Sequence, residues 1–304
     1  MPKKEIKESK SDNNYLVFHI DGGLGKNIMA TAVVEAIFKK YSDKNIVVVT
    51  AWEEPWYNNP YIYRVYKFGN LPYFYEDYIF DNTKIFRIDP YHTEDFLLEK
   101  KHLIQTWCEL YDVPYNGEEP KLYLNPREIE IVKDKIKLDG RPIFILQTNG
   151  GAPNQYDKKS WARDMPLELA QKIVDDAVKA GMRVLHIRRE DQPALNNVEW
   201  VSLPLRELFA TFLFSTKRLL IDSFGQHASK ALGLDSVVCW ISNTPKVFGY
   251  ENNLNVLPKD KKNREFLKYS YLDKYDITGN PQQFPYDDIN VFDINEIFNA
   301  LNQI

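Results

Sequence analysis

The chain has 304 residues, 44% of them apolar, enough for two domains of ordinary size, each with its own core. A formal net charge of −4 argues against a strongly basic nucleic-acid surface, while leaving room for a local basic groove. The two cysteines, Cys108 and Cys239, fit neither a zinc motif nor a disulfide framework and point to a reducing, cytoplasmic setting.

Residues 1–13 are polar and charged, without the apolar stretch of a secretory signal, and read as a mobile tail. No run reaches the length of a membrane span. Tyr15–Ile20 carries a strand signal, and Asp21-Gly-Gly-Leu-Gly-Lys-Asn27 follows as a glycine-rich turn. The spacing from Ile28 to Tyr41 predicts a helix, and Ile46–Thr50 a second strand, apolar throughout as in a sheet covered on both faces. Together these form one βαβ unit. Further strands are predicted near Ile62–Val65 and Lys84–Ile88, and a single helix over Phe96–Tyr111. The many aromatics between Trp52 and Tyr91 are read as core, with a sugar-stacking surface as the other option.

Pro126–Lys137 reads as a charged surface helix, and the domain boundary is placed around 126–141. The alternation then restarts, with strands at Ile143–Leu146, Arg183–Ile187, Lys217–Ile221 and Val237–Ile241. Helices are predicted over about 166–180 and 204–213, with Gly181 as a C-cap. The chain after 258 is charged, aromatic and irregular until an amphipathic helix at Ile294–Leu301. The expected class is α/β, with two Rossmann-like, doubly wound domains facing across a cleft. The boundaries are 14–125 and 142–258, followed by an extension, 259–304, whose final helix packs back on the first domain.

Three stretches carry candidate chemistry. Asp222-Ser-Phe-Gly-Gln-His227 joins a strand to a helix, where free N–H groups and the helix dipole favour phosphate. The plainer alternative is an ordinary capped turn. In the first domain, Gly22, Gly23 and Gly25 let the backbone turn sharply and approach a ligand, but the spacing with Lys26 and Asn27 is neither a dinucleotide fingerprint nor a P-loop. A lysine in Lys158-Lys-Ser-Trp161 is placed to neutralise a diphosphate, or is simply a solvated loop charge. The five histidines show no metal spacing and no GxSxG is present, so neither a metal site nor a cofactor is expected.

On these residues the chain resembles glycosyltransferase family 9, the lipopolysaccharide heptosyltransferase-like enzymes of GT-B fold. The matching segments are Gly22–Ile37, Asn59-Pro-Tyr-Ile-Tyr-Arg-Val65, Lys159-Ser-Trp161, Leu203-Pro-Leu-Arg-Glu-Leu208 and Asp222–His227 with Ala228 to Leu232. The resemblance implies a nucleotide-sugar donor on the second domain. Asp222 would lie at the donor ribose, Ser223, Phe224 and Gly225 at the diphosphate, Lys159 as countercharge, and His227 as support. The acceptor would bind mostly to the first domain. It would be a glycan or lipopolysaccharide core, or a modified nucleic-acid base. The implied reaction is inverting and needs no metal. The family places an aspartate directly after the loop's last glycine; this chain has Lys26 there. Asp21 is the first choice of replacement base, ahead of Glu53, Glu54, Asp89 and Asp95. Phe224 likewise stands where the family has glycine. Two other readings stay open, a nucleotide-sugar-binding protein without turnover and a GT-B-like sugar epimerase.

Overall fold

The structure, a computed structural model, describes residues 14–150, 163–259 and 290–304. The expected tail, Lys159 with its neighbours, and most of the expected extension lie outside the described residues. No described helix is long and apolar enough to cross a membrane.

The first half builds a parallel sheet from β1 (Tyr15–Ile20), β2 (Asn45–Thr50), β3 (Arg64–Lys67) and β4 (Lys84–Phe86), in the order β3-β2-β1-β4. Helix α1 (Leu24–Lys40) is the crossover from β1 to β2. Alternation along β1 sends Leu16, Phe18 and Ile20 toward α1, while Val17 joins Val47 and Val49 on the other face. That second face is covered by Tyr66 and by α2 (Phe74–Tyr78). Burial on both sides is why β1 and β2 are nearly continuous apolar runs.

The predicted helix over Phe96–Tyr111 is in fact two, α3 (Glu94–Leu97) and α4 (Leu103–Leu110). The break is forced at Glu99, whose φ of 51° is left-handed. It lets His102 cap α4, its Nδ1 accepting from the Ile104 N–H at 3.2 Å. Helical spacing alone does not reveal such a cap when the flanking residues are themselves good helix formers.

The expected linker holds a further helix, α5 (Pro126–Ile136), started by a capping box between Asn125 and Glu128. The second sheet follows, with β5 (Ile143–Gln147), α6 (Leu167–Lys179), β6 (Arg183–Ile187), β7 (Glu199–Trp200), α7 (Leu205–Phe212), β8 (Lys217–Ile221), α8 (Phe224–Ala231), β9 (Ser236–Cys239), α9 (Pro245–Phe248) and β10 (Asn253–Val256). Its order, β10-β9-β8-β5-β6-β7, is that of a complete doubly wound sheet, all parallel. Helix α5 packs on α7 and so joins this second layer.

The last helix, α10 (Ile294–Leu301), corrects one expectation: it does not return to the first domain. Ile297 and Leu301 are buried with Val237, Cys239 and Val256, against the second sheet. Lys217 Nζ donates to the Leu301 carbonyl, which ties the helix C-terminus to β8. A separate core links the two sheets. Phe18 and Ile20 of β1, α1, Ala210 and Phe212 of α7, and Ile143, Ile145 and Leu220 belong to one apolar cluster.

Candidate active site at the facing strand ends

Each sheet has one point where the chain turns from winding outward on one side to winding outward on the other. In the first sheet it lies between β1 and β4, in the second between β5 and β8. Backbone loops diverge there and leave a crevice at the carboxyl ends of the strands, where open α/β sheets bind ligands. The two crevices adjoin. Helix α1 packs against α8, each following the strand at its own crevice.

In the second sheet, buried polar groups hold the loops after β5 and β8 together. The Gln147 amide donates to Ser223 Oγ and to the Asn149 carbonyl, both at 3.2 Å, while its Oε1 accepts from the Gly225 N–H at 3.2 Å. Asp164 accepts from Asn149 Nδ2 at 3.0 Å and from the Gly150 N–H at 2.8 Å. Thr148 donates to Asn149 Oδ1 and lies 2.9 Å from His186 Nε2, so that nitrogen carries the proton. Burial lowers the His186 pKa to about 4. Such a network pre-sets the loop around Ser223 and Gly225. Ser223 starts α8 without capping it, its hydroxyl being turned to Gln147. Arg163 lies over Gly150 and donates to the Asp222 carbonyl at 3.3 Å, which brings a cation to the β5–β8 crevice.

Asp222, the residue expected at the donor ribose, is held within the turn. It is buried, and its two oxygens accept from Gln226 Nε2 (3.0 Å) and from Asn243 Nδ2. It therefore fixes the strand-to-helix turn from inside. Phe224 is half-buried against Leu122 and the α8 apolar face, and Gly225 sits under Gln147, where a Cβ would fall 2.4 Å from Oε1.

In the first sheet, Gly22 takes a φ of 97° and directs its chain over Lys26, whose Cδ is 3.0 Å from where a Cβ would lie. Trp52 Nε1 donates to the Gly22 carbonyl at 3.2 Å. Asn27 is an internal anchor: its amide donates to Gly23 O, and its Oδ1 accepts from Thr50 Oγ1 and Trp56 Nε1. Lys26 is buried, with Nζ 2.5 Å from Asp89 Oδ2 and 4.8 Å from the Tyr91 ring centroid. Asp89 arrives from the loop after β4, across the crevice, and its Oδ1 accepts from the Tyr91 N–H at 3.0 Å. Asp21 is exposed at the end of β1. Its charge opposes the downward shift that burial imposes on His19. Asp95 is paired with Lys101 at 2.7 Å, and Glu54 offers its backbone carbonyl to Arg206 at 3.0 Å.

The seam between the halves is closed by imidazole and phenol. His227 Nδ1 and the Tyr250 hydroxyl share a 2.8 Å hydrogen bond, and the His102 ring centroid lies 5.6 Å from that of Tyr250. Burial lowers His227 to about 3 and His102 to about 4, and raises the Tyr250 hydroxyl well above its usual value, so all three are neutral. Arg206 adds a clamp, donating to the Glu128 carboxylate through Nε and Nη2 and to the Glu54 and Tyr123 carbonyls.

The structure thus brings Gly22, Gly25 and Lys26 to one side of the seam and Ser223, Gly225 and His227 to the other. Residue-by-residue reading of the sequence missed Gln147, Asp164 and Arg163. The signal was there in part: Gln147-Thr-Asn-Gly150 follows an apolar strand directly, and polar residues buried at a strand end are seldom idle. Among the described residues, no group of three His, Cys, Asp or Glu side chains is arranged to hold a metal ion.

No family model and no curated protein matches the sequence. Solved structures do match in fold. A glycosyl transferase of family 9 from Veillonella parvula superposes with a TM-score of 0.65 at 15% identity, over 96% of this chain and 97% of that one. The E. coli ADP-heptose lipopolysaccharide heptosyltransferase II gives 0.63 at 13% identity, over 95% and 99%. The E. coli heptosyltransferase WaaC with ADP gives 0.56 at 8% identity, over 95% and 99%. The chain therefore has the GT-B fold, two Rossmann-like units facing one another.

Proposed function

We propose that the protein is a glycosyltransferase that moves a sugar from a nucleoside-diphosphate sugar to a hydroxyl acceptor with inversion. The observation that carries this is the meeting of two switch-point crevices at one seam. One is lined by a helix N-terminus and a cation, the other by a glycine loop and carboxylates. The second crevice suits the donor. Its diphosphate meets the N-terminus of α8 and Arg163, which together stabilise the charge that develops on the leaving group without a metal ion. Gln147 holds Ser223 and Gly225 in place for that contact, and Asp222 fixes the turn. Lys159 would add a second positive charge.

The acceptor hydroxyl enters from the first crevice. Its oxygen attacks the anomeric carbon in line with the departing diphosphate, and a carboxylate at that crevice takes its proton. Asp21 and Asp89 are the carboxylates bordering the glycine loop. Trp52 and Tyr91 at the same mouth suit stacking on a sugar ring, which favours a glycan over a nucleic-acid base. The structures of similar fold name ADP or ADP-heptose, so an ADP-sugar is the first donor to test.

The test is thermal shift and calorimetry with ADP, UDP, GDP and CDP, followed by nucleoside-diphosphate release from ADP-heptose. A ligand at a hundredfold excess over its Kd stabilises by about 2.7 kcal/mol, which a melt resolves easily. Stabilisation by one diphosphate and its release from the matching sugar are expected. No stabilisation by any of the four would overturn the assignment. Binding without release under any acceptor would leave a binding protein in its place.

A further inference from the structure

Resting on that transferase reading, we infer that Asp89 is the general base and that Lys26 is its positioning residue. Two carboxylates border the first crevice, and geometry separates them. A base has to be held in one orientation to take a proton in the transition state. Asp89 is held on both oxygens, by Lys26 Nζ at 2.5 Å and by the Tyr91 N–H at 3.0 Å. Each oxygen keeps a second lone pair, and the side chain remains 31% exposed, so the carboxylate stays reachable from the crevice. Asp21 sits on an exposed strand end, and parity along β1 places it on the side of His19, the sheet face opposite Leu16, Phe18 and Ile20.

Lys26 itself is built in with unusual completeness for a lysine. Its side chain is 6% exposed, its ammonium lies 4.8 Å and 5.5 Å from the Tyr91 and Trp107 ring centroids, and Gly22 folds over its stem. Buried lysines are rare, and among the described residues this one is paired with Asp89, across the β1–β4 crevice. Sixty-three residues separate the pair in sequence, and only the sheet order brings them together. In the step, the acceptor oxygen forms its bond to the anomeric carbon. The bond from that carbon to the diphosphate oxygen breaks, and its electron pair leaves on the diphosphate. The hydroxyl proton passes to an Asp89 carboxylate oxygen.

The experiment uses ADP-heptose with water as acceptor, following ADP release, with ADP affinity measured by calorimetry on the same samples. D89N is expected to lose about 100-fold or more in kcat, the size of a general-base contribution. Its Kd for ADP stays within about twofold of wild type, with 1.4 kcal/mol per tenfold as the scale. K26M is expected to lower kcat with little change in KM, and the double variant K26M/D89N to be no slower than D89N. A residue of purely structural importance would instead lower the melting temperature and weaken ADP binding, and its effect would add to that of D89N. If D89N keeps wild-type turnover, or if D21N accounts for the whole loss, Asp89 is not the base. If wild type binds none of ADP, UDP, GDP and CDP, the transferase reading falls, and this assignment with it; if it binds one other than ADP, the same variants are compared on the sugar of that nucleotide, with the same outcomes deciding.

Discussion

Gly25 of α1 faces His227 of α8 so closely that a Cβ at Gly25 would lie 2.7 Å from the imidazole Cδ2. The first sheet's glycine loop and the second sheet's helix therefore touch through a missing side chain. G25A forces the buried ring or the loop to move, and overpacking of this kind costs about 1–3 kcal/mol. Urea melts of G25A and of G25A/H227A check this. The double variant should be less destabilised than the sum of its two singles, because removing the ring removes the overlap.

A second prediction concerns acid. His102, His186 and His227 are lowered by burial from 6.5 to about 4, 4 and 3. The unfolded chain takes up these protons near pH 6.5, and the folded chain does so only near pH 3–4. Their contribution is fully present above pH 6.5 and is lost as pH falls toward the folded values. Each histidine contributes a slope of up to about 1.4 kcal/mol per pH unit within that window. Denaturant melts at pH 7.5, 6.0 and 5.0 should show falling stability, with a shallower slope in H102N. A flat profile would rule out the three neutral imidazoles.

The Arg206 clamp makes a third. R206M leaves Glu128 without its guanidinium and strips hydrogen bonds from the Glu54 and Tyr123 carbonyls. Removing one member of a largely buried pair costs about 3 kcal/mol or more. R206K keeps the charge but not the planar fork, so it should recover less than half of that loss. Equilibrium unfolding of the two variants measures both numbers.

Gly225 supplies a fourth. A Cβ there collides with Gln147 Oε1, the atom that accepts the Gly225 N–H. G225A should weaken ADP binding about tenfold, or 1.4 kcal/mol, by displacing the α8 N-terminus. G225A/Q147A relieves the overlap and should recover part of that affinity. Calorimetry with ADP decides, and full wild-type affinity in G225A would place the diphosphate elsewhere.

The parallel strands were the most readable part of the chain. Arg183–Ile187 and Lys217–Ile221 stand where the apolar runs put them, because a strand covered on both faces needs little but β-formers. β7 and β10 escaped notice, since Glu199–Trp200 and Asn253–Val256 are short, mixed in polarity, and exist only because a neighbour pairs with them. At the site, the strand-turn-helix around Asp222 was legible from local pattern. That Asp222 would be occupied by Gln226 and Asn243 was not, because Asn243 lies on another loop, 21 residues on. Asp89 was one of five candidate carboxylates, and nothing local distinguished it. Its contact with Lys26 depends on β4 lying beside β1, a property of topology and not of any sequence window.

The apolar cluster that runs from β1 through α1 into α7 and β5 bears on how the molecule is inherited as well as how it stands. Cut between its sheets, the chain would separate Ile28 of α1 from Phe209 of α7 and Ala228 of α8, with which it is buried. Neither piece would be a cassette that recombination could exchange between proteins without repair of the exposed face. Unfolding is expected to couple the two sheets through the same contacts, so that a core substitution in one half is felt in the stability of the other.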